Sequence, residues 1–368
     1  MVQVTTMPNG PDWTQPGVEE VAAGVYRIPL PLPGNALRAV NVYAIRHADG
    51  ALTMIDSGWS TPEARSLLLD NLAQLGNSIT DVDRFLVTHV HRDHYTLAIA
   101  LRREFGTRVA IGKGEQPALR RIGSPDHRPM QEELARLRRS GASGVARELA
   151  RQIDEEGFGK LDPADWEIPD QWLEPATIGA GGRMLEVVET PGHTQGHVVF
   201  HDVAAGLLFA GDHVLPVITP SIGFEGAVTE NPLGAFLRSL ALVRSRPDAR
   251  LLPAHGPADR NAHARVDELI DHHGRRLELM ESALASGAST ACEVAQQVRW
   301  TRRQVRFGEL SVFNQMLAIG ETSAHLALLI AQGRAASSET DGVVRYACTT
   351  SAANSPLPSG SPVPQEAR

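Results

Sequence analysis

The strongest constraint on this chain is a six-residue stretch, His89–His94 (HVHRDH), that directly follows the apolar run 85–87. Its three imidazoles and one carboxylate are groups that proteins use to bind Zn²⁺ and similar ions. Residues two apart on an extended chain point to the same side, so His89 and His91 can bind one ion. Asp93 and His94 follow as the chain turns into a helix, where they could face a second ion. The stretch therefore predicts a metal site after a buried strand.

A site for two ions needs more than four ligands, because each ion takes about four or five. Three other segments each place an isolated His or Asp beside a glycine: His193 in TPGHTQGH, Asp212 in LFAGDH and His255 in LLPAHG. An apolar strand that presents a polar residue at its carboxyl end is a common way to build a site. These three residues are therefore predicted to complete the ligand set.

The motifs THxHxDH, PGHTxGH, GD and PAHG, in this order, resemble those of the metallo-β-lactamase superfamily, in the version found in glyoxalase II-like hydrolases. The resemblance covers roughly residues 20–260 and implies an α/β fold, an αββα sandwich with the site at one rim. It also implies a division of the ligands: His89, His91 and His193 on one ion, Asp93, His94 and His255 on the other, and Asp212 bridging them.

Other residues are expected to act around the ions. Asp56 matches the family's early Asp at a strand end, and its expected task is to accept a hydrogen bond from a ligand and fix its orientation. A turn or helix-cap role is the alternative for Asp56. His197 and His213 adjoin ligands and are predicted to support or pack rather than bind an ion. Asp93 and Asp212 are expected to be catalytic as well as ligands.

The implied chemistry is hydrolysis with two Zn²⁺ per subunit, or Fe or Mn in their place. A hydroxide held between two cations is a strong nucleophile, because the cations lower the pKa of bound water. The leading prediction is attack on a carbonyl ester, a thioester or another small acyl substrate. Asp212 stands where antibiotic-type lactamases carry a cysteine ligand, so the resemblance argues against β-lactamase activity.

Three alternatives remain open. Relatives with the same ligands can be ribonucleases or phosphodiesterases. Some relatives bind one iron and act as persulfide dioxygenases, although a full set of seven ligands favours two ions. The fold could also serve only as an interaction module, but such a module would have no reason to keep all seven metal ligands.

Composition narrows the cellular setting. The 368 residues carry a net charge of −8 and 42% hydrophobic residues, which favours a globular protein without avid nucleic-acid binding. The two cysteines, Cys292 and Cys348, lie outside every motif and are expected to be free thiols. The amino terminus lacks the pattern of a secretory signal. The sequence contains no run of about 18 apolar residues, so no membrane span is expected. A cytoplasmic enzyme is therefore expected.

The catalytic domain is predicted over 19–260, after a flexible arm at 1–18. A helical insertion is expected at about 113–180, with two amphipathic helices. It could cap the metals, or form a plain surface or a homodimer contact. Trp166, Trp172 and Phe224 are the candidates for the substrate pocket.

The segment 261–348 is predicted to hold a long helix over 266–284, helices at 291–298 and 321–332, and a strand at 342–346 in a small hairpin. This order resembles a winged-helix module. Its nine Arg against ten Asp plus Glu give a net charge of 9 − 10 = −1, so a structural or pocket-closing role is favoured over nucleic-acid binding. The tail 349–368 is expected to be disordered.

Overall fold

The computed structural model describes residues 12–349, apart from 33, 35–36, 125–126, 157–161 and 225–229. Most of the predicted arm and all but the first residue of the predicted tail therefore lie outside the described residues. The described strands are β1 Glu19–Ala22, β2 Val25–Pro31, β3 Ala39–Arg46, β4 Leu52–Ile55, β5 Val82–Val87, β6 Arg108–Gly112, β7 Gln171–Leu173, β8 Thr177–Ala180, β9 Arg183–Glu189, β10 Val198–Asp202, β11 Leu207–Gly211, β12 Arg250–Pro253, β13 Ala335–Thr340 and β14 Val343–Cys348. The described helices are α1 Pro62–Gln74, α2 Arg92–Phe105, α3 Gln116–Ile122, α4 Pro129–Arg139, α5 Ser143–Glu156, α6 Pro232–Arg244, α7 Ala262–Ala285, α8 Ala291–Gln297 and α9 Val312–Ala331.

Two sheets form the centre of the molecule. The first has the strand order β1-β2-β3-β4-β5-β6-β7 and the second the order β12-β11-β10-β9-β8. Successive side chains of a strand point to opposite faces, so each sheet can bury both. In β10, Phe200 belongs to the core between the sheets and Val199 to the core beneath the helices. Helices α1 and α2 cover the first sheet, and α6 and α7 the second. The predicted αββα sandwich is confirmed.

The strand ends carry the polar motifs to one edge. Strands β4 and β5 run parallel, as do β11 and β12, so their carboxyl ends meet on one side of each sheet. Asp56 follows β4, His89 follows β5 by one residue, Asp212 follows β11, and His255 follows β12 by one residue. The order of strands therefore gathers residues that lie far apart in the sequence.

The described residues of the segment 113–180 form three α-helices, α3, α4 and α5, rather than the two expected. Its last residues are not helical. Strand β7 pairs with β6, and β8 pairs with β9, so residues 171–180 extend both sheets. These strands were not predicted, because β7 has three residues and β8 has four, too few to show an alternating pattern. The helical part therefore ends before the boundary expected at 180.

The C-terminal region contains α7, α8 and α9, followed by the hairpin β13-β14. Helix α9 begins at Val312, nine residues before the predicted start at Glu321. The Ser311 hydroxyl caps it by accepting a hydrogen bond from the Asn314 N–H. Helix α9 packs on α5, α6 and α7, so it joins the inserted helices to the second sheet. The winged-helix interpretation stays a prediction.

Cys292 and Cys348 are both free thiols, as expected. Cys292 is buried among the C-terminal helices, and Cys348 ends β14. Among the described helices, none combines the length and the apolar character needed to cross a membrane.

A leucine pair on α6 tests how the second sheet is stabilised. Leu240 is fully buried, whereas Leu242 is 42% exposed. We expect Leu240→Ala to lower the free energy of unfolding by about 2–5 kcal/mol, because it leaves a cavity in the core. The matched Leu242→Ala should change it by less than about 0.5 kcal/mol. Urea denaturation at equal metal content measures both, and equal losses would contradict the described packing.

Candidate metal centre

The first group of candidate ligands consists of His89, His91, His193 and Asp212, whose ligand atoms lie within 4.8 Å of one another. The Nδ1 of His91 is 3.0 Å from the Nε2 of His89 and 3.0 Å from the Nε2 of His193. Three ring nitrogens thus converge on one point, and nitrogen lone pairs this close repel one another unless a proton or a cation lies between them. Imidazole nitrogens in this arrangement suit a cation such as Zn²⁺.

The second group consists of Asp93, His94 and His255, also within 4.8 Å of one another. The His255 Nε2 is 3.4 Å from an Asp93 oxygen, and the His94 Nε2 is 3.8 Å from the same oxygen. Asp93 and His94 lie in the first turn of α2, whose preceding residue is His91. The six-residue motif therefore supplies both groups, because the strand end faces one and the helix start faces the other.

Asp212 lies between the two groups. Its Oδ2 is 3.4 Å from the His193 Nε2, and its Oδ1 is 3.3 Å from the His255 Nε2 and 3.7 Å from the His94 Nε2. Each carboxylate oxygen thus faces a different group. The preceding Gly211 has a φ of +50°, and a Cβ there would lie 2.6 Å from the Thr88 hydroxyl. Only glycine lets β11 approach Thr88 closely enough to place Asp212 in this position.

Buried polar atoms without partners show what the centre is suited to hold. Within the described part of the chain, the His94 Nε2, the His255 Nε2 and the Asp212 Oδ1 make no aligned hydrogen bond. Buried polar atoms are costly unless they are paired. All three atoms face the same space, so the donor set fits divalent cations.

Asp56 fixes the orientation of His94. Its carboxylate accepts a hydrogen bond from the His94 Nδ1 at 2.9 Å, from the Thr88 N–H at 2.8 Å and from the Thr88 hydroxyl at 3.0 Å. The Thr88 oxygen also faces the His89 Nδ1 at 3.1 Å. One buried carboxylate therefore orients a candidate ligand in each group. Asp56 itself has a φ of +59°, a strained conformation for a residue with a Cβ.

Backbone carbonyls orient two more rings. The His193 Nδ1 donates to the Ser221 carbonyl at 2.8 Å, and the His255 Nδ1 donates to the Ala39 carbonyl at 2.8 Å. In both rings the Nε2 is then left to face the centre, and such contacts are typical of metal-binding histidines.

His197 has no nitrogen to offer an ion. Its Nδ1 is 2.8 Å from the Thr190 hydroxyl, and its Nε2 accepts the Asp212 N–H at 3.2 Å. The ring therefore holds the backbone of Asp212. His213 is buried and packs edge-on against Phe236, with ring centroids 5.1 Å apart. Neither ring belongs to a candidate ligand group.

Glu115 is a site residue that the sequence analysis missed. It is fully buried, and its Oε1 accepts a hydrogen bond from the Thr194 hydroxyl and lies 3.4 Å from the Val90 N–H. It thereby joins the loop of the first motif to the loop that carries His193. Its sequence neighbours, Lys113 and Gly114, gave no signal of burial, because only the contact between the two loops encloses it.

The electrostatics of the two groups differ. Burial lowers the pKa of His89, His91 and His193, and that of His91 falls to about 3. Burial also acts to lower the pKa of His94, but the nearby carboxylates outweigh it and raise the value to about 10. The pKa of His255 is raised for the same reason, chiefly by Asp212 against the effect of burial. The carboxylates of the second group are therefore arranged around positive charge.

The three aromatic candidates fall in different places. Trp166 is buried on the outer face of the first sheet and stacks on Tyr95, with ring centroids 6.4 Å apart. Trp172 lies on β7 and packs into the same core. Phe224 lies beside the centre, with its ring 6.2 Å from that of His91. In the described structure Phe224 lines the cavity next to the centre, and the tryptophans do not.

A family model described as "Metallo-beta-lactamase superfamily" matches residues 36–261, a range that contains both candidate groups. The chain is 26% identical over 326 residues to "Probable metallo-hydrolase YqjP" of Bacillus subtilis (strain 168), which covers 83% of this chain and 91% of the relative. It is 29% identical over 212 residues to a hydroxyacylglutathione hydrolase of Aeromonas salmonicida (strain A449), which covers 57% of this chain and 58% of that protein.

Among solved structures, a beta-lactamase domain protein from Burkholderia ambifaria superposes with a TM-score of 0.73 at 28% identity. The superposition covers 90% of this chain and 94% of that one. The similarity thus extends beyond the range of the family model and into the C-terminal helices.

Asp56 offers a test of ligand orientation. We expect Asp56→Asn to weaken metal binding by about 10–100-fold, because the amide is a poorer acceptor for the His94 Nδ1–H. Titration with a competing chelator measures the affinity. Asp70→Asn, an exposed change on α1, is the matched control and should leave the affinity unchanged. Equal affinities for the protein and Asp56→Asn would refute this role.

Proton release tests the electrostatic difference between the groups. The raised pKa of His94 means that this ring carries a proton in the metal-free protein near pH 7, and an ion must displace it. Metal affinity of the second group should therefore rise as the pH rises from 7 toward about 10. The first group, with lowered pKa values, should release none. Calorimetric titration in two buffers of different ionisation enthalpy counts the protons, and two binding steps without release would contradict the assignment.

Proposed function

The chain belongs to the metallo-beta-lactamase superfamily, and we propose that it is a dinuclear metal-dependent hydrolase. The proposed substrate is a carbonyl ester, namely a thioester or another small acyl compound. The observation that carries the proposal is that two groups of candidate ligands adjoin each other in a buried site. Three of their ligand atoms have no aligned hydrogen-bond partner in the described structure. Seven ligands in two groups, with a carboxylate between them, suit two ions better than one.

In this proposal His89, His91 and His193 hold one cation, Asp93, His94 and His255 hold the other, and Asp212 is shared. Zinc is the proposed metal because histidine and carboxylate ligands suit it, and iron or manganese would accept the same groups. The glyoxalase II-like division of the ligands is part of the proposal. Elemental analysis of the purified protein identifies the metal, and a protein without bound metal would end the proposal.

When bound, two such cations lower the pKa of a water molecule and polarise the substrate carbonyl. The remaining work falls to the chain. Asp93 is 14% exposed at the side chain, so its carboxylate is open enough to accept a hydrogen bond from the attacking water and orient it. His197 fixes the backbone of Asp212, and Asp56 fixes His94. These contacts preorganise the centre before the substrate arrives.

The surroundings of the centre favour an acyl substrate over a phosphodiester. The cavity beside the centre is lined by the carboxylates of Glu133 and Glu321, which repel a phosphate. Its lining arginine, Arg136, already pairs with Glu133 at 2.7 Å. The relative from Aeromonas salmonicida is named for the hydrolysis of an acylated glutathione, which agrees with acyl chemistry.

Replacement of the carboxylates tests their proposed roles. Asp212→Asn and Asp93→Asn should each lower kcat/KM for thioester hydrolysis by at least about 100-fold, because each removes a negative charge from the centre. Asp259→Asn, an exposed change close to His255 in sequence, is the control and should keep full activity. Full activity in either site variant would refute its role.

A panel of substrates decides between the main proposal and its alternative. Acyl thioesters, lactones and labelled RNA are incubated with the metal-loaded protein, and hydrolysis of a thioester or lactone is the expected result. If RNA is cleaved and no acyl compound is hydrolysed, the protein is a nuclease and the main proposal is wrong. Oxygen consumption with a persulfide would replace it by the dioxygenase.

A further inference from the structure

A cavity of about 160 Å³ lies next to the metal centre, between α4, the loop that follows Asp212, and α9. Two of its lining residues also contact the centre. The Ser221 carbonyl accepts the hydrogen bond from His193, and the Phe224 ring packs near His91. The charged residues that line the cavity are Glu133, Arg136 and Glu321.

The loop that forms one wall is fixed in place. Arg136 donates hydrogen bonds to the carbonyls of Gly223 and Phe224. Gly223 has a φ of +85°, and a Cβ there would lie 2.8 Å from the Gly320 carbonyl of α9. The loop therefore sits directly on α9, and the cavity has a preformed shape rather than one made on binding.

Glu321 is the unusual group in the wall. Its side chain is 19% exposed, and its one ion-pair partner among the described residues is Arg276, 3.6 Å away, beyond a good hydrogen bond. The Arg276 Nε faces Glu321, whereas its Nη1 donates to the Arg299 carbonyl and its guanidinium stacks on Trp300. Burial raises the pKa of Glu321, and the charge of Arg276 offsets this effect only in part.

The polar groups of the cavity are mainly acceptors. Glu133 pairs with Arg136 through one oxygen, and the carboxylate of Glu321 receives no hydrogen bond from the described residues. The guanidinium of Arg136 is directed to Glu133 and to the loop carbonyls. Ile222, Phe224, Met316 and Leu317 supply apolar surface between these groups. A ligand that fits must therefore donate hydrogen bonds and carry a short apolar stem.

We propose that this cavity is a subsite for a cationic group of the substrate, an ammonium or guanidinium on a short alkyl stem, with Glu321 as its carboxylate partner. A cavity of this volume admits a group of about six non-hydrogen atoms, the size of a benzene ring. The cation supplies the charge that the wall lacks and places the acyl carbon toward the metal centre. The assignment of this group to a substrate rests on the proposed hydrolase function, whereas its binding to the cavity does not.

The binding claim is tested with ligands that have no scissile bond. Ethylguanidinium and N-ethylurea have nearly the same shape and differ in charge, and neither is a strong metal ligand. Calorimetry or ligand-observed NMR on the full metal-loaded chain should show ethylguanidinium binding at least about tenfold more tightly than N-ethylurea. In Glu321→Gln, which keeps the side-chain shape, that preference should fall to about twofold or less.

Glu278→Gln, an exposed change on α7, is the matched control and should keep the full preference. Equal binding of the two ligands, no binding of ethylguanidinium, or a preference that survives in Glu321→Gln would each overturn the subsite. These results do not depend on catalysis, so they separate the subsite from the proposed activity.

The link to substrate is tested with 6-aminohexanoyl and heptanoyl thioesters, which differ by an ammonium in place of a methyl group. The protein should have at least about a tenfold higher kcat/KM for the amino compound, and Glu321→Gln should abolish this ratio. A ratio of one, or a preference for the heptanoyl compound, would overturn the substrate assignment. If neither thioester is hydrolysed while ethylguanidinium binds selectively, the proposed function fails and the cation site stands.

Discussion

The candidate centre depends first on the hydrogen bonds of one buried carboxylate, that of Asp56. It joins the end of β4 to the end of β5 through Thr88 and to the start of α2 through His94. Asp56 keeps a positive φ, a conformation that costs of order 1 kcal/mol or more for a residue with a Cβ. Its three hydrogen bonds offset that strain, because they are made by a charged acceptor away from water. Without these hydrogen bonds, His94 in one group and His89 in the other would no longer be oriented by the same carboxylate.

The second constraint is electrostatic. Asp56, Asp93 and Asp212 are close to one another in a buried site, and their repulsion needs positive charge. These carboxylates raise the pKa of His94 and His255, because they favour the positively charged form of each ring. Divalent cations meet the same need without protonating the ligands, so the arrangement that would be unfavourable in an empty core suits a metal centre. The acidic wall of the neighbouring cavity extends this preference for positive charge toward the substrate.

Spacing and residue type predicted much of the candidate site. The HVHRDH motif and the three residues His193, Asp212 and His255 were expected together, and the structure brings them together. The sandwich was implied by the resemblance of the motifs to those of the metallo-β-lactamase superfamily. Other features had no local signal. Glu115 is buried only because two loops meet over it, and Trp172 lies in a strand too short to recognise. Helix α9 starts early because Ser311 caps it.

The spacing of histidines and aspartates at strand ends beside glycines was enough to identify the candidate donor atoms. The same motifs, through their resemblance to those of the superfamily, also indicated the class of fold. The contacts between the candidate ligands and the shape of the cavity beside the centre could be seen only in the folded structure. The cavity walls come from α4, the loop after Asp212 and α9, which lie far apart in the sequence. Local patterns cannot encode such a contact, because it depends on how distant elements pack.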